Sequence, residues 1–172
     1  MNLANWLTVI RIIFVPLVII PLSINGLPHA NYYALLAFLL LAFTDYLDGL
    51  AARKLKQETN LGKLLDPLAD KILVISLLLF FISTNLIAYY WVAIIVIREF
   101  AVLGLRSLAA LQNNVIKADI YGKAKTVWQY LTVSWLILGL PASKYFIWLM
   151  VLLTVLSGIN YFWVNRKVLK NA

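Results

Sequence analysis

The residues of this sequence that could do chemistry include four aspartates that lie close together. Asp45, Asp48, Asp66 and Asp70 make up four of the seven acidic residues of the chain. On a helix, residues three or four positions apart share a face, so the spacing puts Asp45 beside Asp48 and Asp66 beside Asp70. Carboxylates this close stay ionised only if cations compensate them. A cluster of hard oxygen ligands favours Mg²⁺, Mn²⁺ or Ca²⁺, and a pair of such ions suits a displacement at phosphorus.

Small residues accompany the aspartates on the same helix faces. Gly49, Ala52 and Gly62 would let a ligand approach the helix backbones closely. Two simpler interpretations exist, because small residues in membrane helices also serve helix packing and a single aspartate at a helix end also caps it. The joint register of four aspartates and three small residues favours a ligand site.

A second group of polar residues is basic. An acceptor that carries a phosphate needs cationic partners, and the planar guanidinium of arginine suits a phosphate group. The candidate phosphate ligands are Arg98, Arg106, Lys117, Lys123 and Lys125. Alternatives remain for each: Glu99 lies seven positions before Arg106 and allows a structural ion-pair network, and the lysines also suit a basic cytoplasmic loop. Thr8 and Arg11, one turn apart, either contact a nucleotide or cap and snorkel at a helix end.

The elements that must position these residues are membrane helices. The 172 residues are 63% hydrophobic and 13% charged, with a mean hydropathy of +0.89, which excludes an ordinary water-soluble domain. We predict one domain, residues 1–172, of six transmembrane helices without an appended soluble domain. The predicted spans are Asn5–Ile24, Tyr32–Phe43, Gly62–Ile82, a span from Ile87, Thr126–Leu140 and Tyr145–Val164.

The basic residues predict how these spans are oriented. The net charge is +8, and all but Arg11 and Lys144 of the 15 lysines and arginines flank the loops after the second and fourth spans or lie in the C-terminal tail. The positive-inside rule then puts both termini in the cytoplasm, with basic loops facing anionic lipid. Nucleic acid is not an expected partner, because no soluble basic face carries the charge. The absence of cysteine excludes disulfides and thiolate metal sites.

The acidic window resembles a known family. The pattern D-x2-D-G-x2-A-R-x8-G-x3-D-x3-D runs without departure from Asp45 to Asp70 and resembles the motif of the CDP-alcohol phosphatidyltransferases. Further segments resemble the bacterial branch of that family that uses glycerol 3-phosphate. They are Asn5-Trp6-Leu7-Thr8 with Arg11, Leu65–Lys71, Arg98-Glu99-Phe100, Gly104-Leu105-Arg106, Gly122–Thr126 and Ser157-Gly158.

The resemblance implies an all-α integral membrane enzyme with six helices, a homodimer in the bacterial cytoplasmic membrane with its active site facing the cytoplasm. It would transfer the phosphatidyl group of CDP-diacylglycerol to glycerol 3-phosphate and release CMP. Asp45, Asp48 and Asp66 would hold two Mg²⁺ or Mn²⁺ ions, with Asp70 adjacent as general base. The nucleotide site would include Gly49, Ala52, Arg53 and Gly62.

Three other functions remain open at this point. A related transferase could use another acceptor, such as inositol phosphate, serine or phosphatidylglycerol. A membrane prenyltransferase shares aspartate–metal–diphosphate chemistry, but the fixed small residues and only six spans argue against it. A divalent-cation carrier would need polar residues near mid-membrane in several spans, and the last two spans have few beyond serine and threonine.

Overall fold

The computed structural model describes residue 10 and residues 12–55, 60–112, 120–166 and 168, with the side chains of 45–55, 60–70 and 111 excepted. Within these residues the chain is helical and contains no strand. The helices are α1 (Pro16–Ser23), α2 (Ala30–Leu55), α3 (Asn60–Ser83), α4 (Tyr89–Leu111), α5 (Ile120–Ile137) and α6 (Ser143–Val164). The predicted all-α class is confirmed for this part of the chain.

Two helices extend beyond the apolar runs that predicted them. The second span was predicted to end at Phe43, but α2 continues to Leu55 and carries half of the acidic motif. The fifth was predicted to begin at Thr126, but α5 begins at Ile120, so Lys123 and Lys125 lie on a helix and not in a loop. Hydropathy locates the end of the apolar run and not the end of the helix. The helix continues beyond that run because its backbone hydrogen bonds do not depend on apolar side chains.

Three short turns lie at one end of the bundle. Residues 24–29, 84–88 and 138–142 connect α1 to α2, α3 to α4 and α5 to α6. Gly139 has φ +64°, which glycine adopts readily. A Cβ built there would lie 3.8 Å from the side-chain Nδ2 of Asn31 at the start of α2. The opposite ends of the helices therefore carry the acidic motif and the polar ends of α4 and α6.

Helices α4 and α6 run parallel and in register. Trp91 contacts Trp148 with ring centroids 5.1 Å apart. Towards the other end, Gln112 directly follows α4, and its side-chain Nε2 donates a hydrogen bond to the carbonyl oxygen of Val168, 3.3 Å away. Helix α5 packs against α6, α3 and α2, and α4 packs against α3. The polar side chains of α3, α4, α5 and α6 can therefore meet inside the bundle.

The core is apolar and draws on every helix. Its largest fully buried side chains include Phe38 of α2, Phe81 of α3, Ile95 of α4 and Met150 of α6. A second, smaller cluster joins the ends of α4 and α6 and contains Val102, Leu105, Ala109, Tyr161 and Val168.

The outer surface is also apolar. On α6, Trp148, Leu152, Ile159 and Trp163 are all more than half exposed. One helix in the described residues, α6, is long and apolar enough to cross a membrane, and shorter apolar stretches occupy Ile12–Ser23, Ala30–Thr44 and Lys71–Ser83. Helix α4 has 23 residues but carries charged groups within its length. The arrangement as six spans stays a prediction.

Candidate functional site

The acidic motif lies on two consecutive helices. Asp45 and Asp48 belong to α2, and Asp66 and Asp70 belong to α3. Gly49, Ala52 and Arg53 are on α2 and Gly62 is on α3, so the helical spacing on which the motif argument rests is confirmed. Both helices pack against α5. The side chains of the motif lie outside the described ones, so the meeting of the four carboxylates stays a prediction.

A buried carboxylate lies at the centre of the cationic residues. Glu99 is near the middle of α4 and is only 5% exposed. Its Oε1 accepts a hydrogen bond from the Nζ of Lys125 on α5, and its Oε2 lies 3.5 Å from the Nζ of Lys71 on α3. The Nη1 of Arg98 lies 3.3 Å from Oε1. We call Glu99, Lys71, Arg98 and Lys125 the charged cluster; it links three helices.

The charged cluster is unbalanced. Among the described side chains it contains three cations and one carboxylate, and the side chain of Lys125 is only 4% exposed. A buried cation is costly unless it is paired and hydrogen-bonded. One carboxylate compensates one charge, so the cluster keeps a positive excess that suits an anionic ligand.

Arg98 extends the cluster to α6. Its Nη2 donates to the hydroxyl of Ser157, 3.0 Å away, while its Nε is buried and has no hydrogen-bond partner among the residues that the structure describes. The side chain crosses Gly158 closely, because a Cβ at that position would lie 3.0 Å from the Cγ of Arg98. The glycine therefore leaves room for the path of the arginine.

Arg106 has a different environment. Its Nε donates to the hydroxyl of Tyr161, 3.0 Å away, and its guanidinium carbon lies 5.6 Å from the centre of the same ring. The ion pair between Glu99 and Arg106, which the spacing left open as an alternative to phosphate binding, is not formed: among the described side chains Glu99 pairs with Lys71, Arg98 and Lys125. Seven residues are about 10 Å along a helix, and Glu99 contacts α3 and α5 whereas Arg106 contacts α6.

The remaining predicted residues fall into two groups. Lys123 is exposed on α5. Thr8, Arg11 and Lys117 lie outside the described residues. The roles predicted for all of them stay predictions.

A small polar cavity borders the charged cluster. It has a volume of about 60 Å³ and is lined by Lys71, Glu99, Lys125 and Gln129 together with Val74 and Tyr130. A water needs about 10–15 Å³ of such space, so the cavity has room for more than one. Gln129 is 4% exposed, and its Nε2 has no hydrogen-bond partner among the described residues. Thr126, Ile75 and Ile95 complete the lining, which is therefore mixed, with Lys71, Lys125 and Gln129 as donors on its polar side.

Sequence reasoning missed four of these residues. Lys71 and Ser157 enter the sequence analysis only through the basic loop and the resembling segments, Tyr161 is predicted only as an interfacial anchor, and no role is predicted for Gln129. A usable signal was present: an Arg-Glu pair in the middle of an apolar span requires partners on other spans, and Gln129 lies one turn after Lys125 on the same face.

A larger groove lies between α4 and α6. Its volume is about 690 Å³, and apolar residues such as Ile94, Ile97 and Val155 line most of it, with Arg98 and Arg166 as its charged members. The lining suits a lipid chain better than a polar ligand.

Comparison with known proteins gives a consistent result. The family model for CDP-alcohol phosphatidyltransferase matches residues 1–156. A protein of Bacillus subtilis named CDP-diacylglycerol--glycerol-3-phosphate 3-phosphatidyltransferase is 36% identical over 99% of this chain and 98% of its own length. One of the same name from Rickettsia bellii is 34% identical over 96% of each chain. A probable phosphatidylglycerophosphate synthase of Mycobacterium tuberculosis is 34% identical over 93% of this chain and 79% of its own. The match of the family model over most of the chain, together with these relatives, means that this chain belongs to the CDP-alcohol phosphatidyltransferase family.

Proposed function

We propose that this chain transfers the phosphatidyl group of CDP-diacylglycerol to glycerol 3-phosphate, giving phosphatidylglycerophosphate and CMP. One observation carries the proposal: the complete acidic motif stands on α2 and α3 in a chain that matches relatives named for this reaction over nearly its full length. The buried excess of positive charge beside α3 supports an acceptor that carries a phosphate.

The donor set of the motif fits divalent metal ions. Asp45, Asp48, Asp66 and Asp70 supply only carboxylate oxygens, the ligands that Mg²⁺ and Mn²⁺ prefer. Among the described side chains no three His, Asp or Glu residues come together as a metal site, which leaves the motif as the candidate. When bound, two ions would neutralise the pyrophosphate of the donor and the charge that develops on its oxygens.

The residues of the chain have distinct proposed roles in the displacement. Asp70 accepts the proton of the acceptor hydroxyl, and the resulting alkoxide attacks the β-phosphorus of CDP-diacylglycerol. The bond from that phosphorus to the oxygen of CMP breaks, and CMP leaves. Gly49, Ala52, Arg53 and Gly62 shape the nucleotide site, with Thr8 and Arg11 at its edge. The catalysis is then mostly positioning and charge compensation.

The acceptor phosphate is proposed to bind beside the charged cluster. Arg98 and Lys125 are members of this cluster. Arg106 lies two turns further along α4. Lys117 and Lys123 complete the proposed set. A neutral acceptor such as serine would leave this excess charge without a partner, and so would a divalent cation in transit.

The chain is proposed to span the bacterial cytoplasmic membrane six times as a homodimer, with both termini and the active site at the cytoplasmic face. The exposed apolar residues along α6 support a lipid surround, because a water-facing patch of this size is unusual for a soluble monomer. The charges inside α4 do not oppose a span, since Arg98 and Glu99 are paired within the bundle.

The direct test is an acceptor panel. Purified protein receives CDP-diacylglycerol, Mg²⁺ and one acceptor at a time: glycerol 3-phosphate, glycerol, inositol phosphate, serine or phosphatidylglycerol. Release of CMP with glycerol 3-phosphate, and phosphatidylglycerophosphate as the lipid product by mass spectrometry, is the expected result. CMP release with a neutral acceptor and none with glycerol 3-phosphate would contradict the proposal.

A further inference from the structure

We propose that Glu99 is a positioning residue for the acceptor: its carboxylate holds the ammonium groups of Lys71 and Lys125 on one wall of the polar cavity, where they and the amide of Gln129 face the acceptor phosphate. The inference rests on the proposed function and deepens it, since it names a residue without a predicted site role as the one that sets the cationic site.

The geometry shows why a carboxylate is required. Lys71 reaches Oε2 from α3, and Lys125 reaches Oε1 from α5. Two ammonium groups this near each other repel, and both pay a desolvation cost inside the bundle. The carboxylate between them offsets that repulsion and fixes the position of each. Without it, each flexible lysine side chain would be free to turn away from the cavity.

The charge balance of this cluster leaves cations for a ligand. Among the described side chains Glu99 has three cationic neighbours, Lys71, Arg98 and Lys125. The excess remains inside the bundle, where the groups are more than four-fifths buried. The negative charge of a phosphate is opposite to this excess.

The cavity wall carries a second, independent sign of a ligand. Gln129 is 4% exposed and lines the cavity, yet its Nε2 donates to no partner within the described part of the chain. A buried donor without an acceptor is costly. With Lys71 and Lys125 beside it, the missing group is an acceptor of several hydrogen bonds, which the oxygens of a phosphate provide.

The cluster is also tied to the proposed base. Lys71 directly follows Asp70 on α3, so its contact with Glu99 joins the turn that carries Asp70 to the middle of α4. The acceptor phosphate and the acceptor hydroxyl would then be held by neighbouring parts of one helix.

The experiment compares the variants Glu99→Gln, Glu99→Asp and Gln129→Leu with the unchanged protein. Each is the full-length chain, purified in detergent. The KM for glycerol 3-phosphate and for CDP-diacylglycerol and the melting temperature are measured for each. Glu99→Gln is expected to raise the KM for glycerol 3-phosphate by about tenfold or more, the size of one lost charge-assisted hydrogen bond. The KM for CDP-diacylglycerol should change by less than about twofold. Glu99→Asp keeps the charge and should recover part of the loss.

Gln129→Leu keeps the inference testable if Glu99→Gln does not fold. The leucine preserves volume and leaves the ion pairs intact, so it should raise the KM for glycerol 3-phosphate by about three- to tenfold, the range for one neutral hydrogen bond, without lowering the melting temperature. Lys144→Gln, which removes an exposed charge at the opposite end of the bundle, is the control and should behave as the unchanged protein.

Two outcomes overturn the inference. One is an equal rise of the KM for glycerol 3-phosphate and the KM for CDP-diacylglycerol in Glu99→Gln. This would indicate that Glu99 only stabilises the helix packing. The other is an unchanged KM for glycerol 3-phosphate in both Glu99→Gln and Gln129→Leu. Failure of the proposed function is a separate result: the unchanged protein would then release no CMP with glycerol 3-phosphate at all.

Discussion

The acidic motif occupies two consecutive helices at short fixed spacings, whereas the charged cluster takes Lys71 from α3, Arg98 and Glu99 from α4 and Lys125 from α5. The pattern of the motif fixes four aspartates and one basic residue, Arg53, so the aspartates need metal cations from outside the chain. The cluster contains its own carboxylate and keeps a positive excess.

This contrast assigns different kinetic consequences to the two regions. A motif that depends on external cations should fail as a unit when one carboxylate is lost, and the loss should fall on kcat. Single changes in the cluster should leave kcat near its normal value and should instead raise the KM for the acceptor. The predictions below test that separation.

Removal of divalent metal should have the largest effect. Excess EDTA is expected to abolish CMP release, because four neighbouring carboxylates without cations repel each other and the donor pyrophosphate. Mg²⁺ or Mn²⁺ in excess over the chelator should restore it. Turnover at the full rate in excess EDTA would show that the reaction needs no divalent metal. It would contradict the proposed role of the motif as a metal site.

Single changes in the acidic motif come next. Asp45→Asn and Asp66→Asn should each lower kcat by at least about a hundredfold, since each removes a proposed metal ligand. Asp119→Asn is the matched control, because Asp119 is an aspartate outside the motif. Near-normal rates in both motif variants would contradict metal binding and would indicate that these aspartates cap helices or pair with lysines.

Changes at the two arginines of α4 should be smaller and confined to the acceptor. Arg98→Gln and Arg106→Gln should each raise the KM for glycerol 3-phosphate by about ten- to a hundredfold, the worth of a charge-assisted contact. Arg53→Gln should instead raise the KM for CDP-diacylglycerol. Lysine at either α4 position should rescue only in part, because an ammonium lacks the planar fork.

The result for Arg106 is sharpened by its neighbour. Tyr161→Phe removes the hydroxyl that accepts from Arg106 and leaves the ring in place. If Arg106 binds the acceptor, this variant should change the KM for glycerol 3-phosphate much less than Arg106→Gln does. Equal effects would show that the arginine serves only to pack against α6.

The smallest expected effect is at Gly158. A methyl group there would lie 3.0 Å from the Cγ of Arg98, so Gly158→Ala should displace the guanidinium slightly and raise the KM for glycerol 3-phosphate by about two- to fivefold, a fraction of the loss expected for Arg98→Gln. Gly104→Ala is the matched control, since a Cβ there meets nothing within 4 Å; replacing a helical glycine should leave both KM values unchanged and stabilise the fold slightly. The same KM change in both variants would contradict a specific role for the space at Gly158.

Sequence reasoning reached the two regions unequally, for a physical reason. The acidic motif is encoded by spacing within helices, so Asp45 and Asp48, or Asp66 and Asp70, reveal their shared face without tertiary information. The contacts of Glu99 with Lys71 and Lys125 join residues on three helices, and no periodicity predicts which helices pack together. For the same reason the spacing suggested Arg106 as a partner of Glu99, whereas the fold turns the two towards different helices.

The helix limits illustrate the same point. Hydropathy located the apolar runs, and the third and sixth predicted spans agree closely with α3 and α6. It could not show that α2 continues past Phe43 to Leu55. Between Thr44 and Leu55 the sequence contains Asp45, Asp48, Arg53 and Lys54, so hydropathy has no apolar run to follow there.

The central claim is that the buried cationic excess selects an acceptor that carries a phosphate. It is tested most directly by the ratio of kcat/KM for glycerol 3-phosphate to kcat/KM for glycerol, measured as CMP release in the unchanged protein and in Arg98→Gln. The account predicts a ratio far above one in the unchanged protein that falls by about tenfold or more in the variant, while the rate with glycerol changes little. A ratio that is the same in both proteins would contradict the claim.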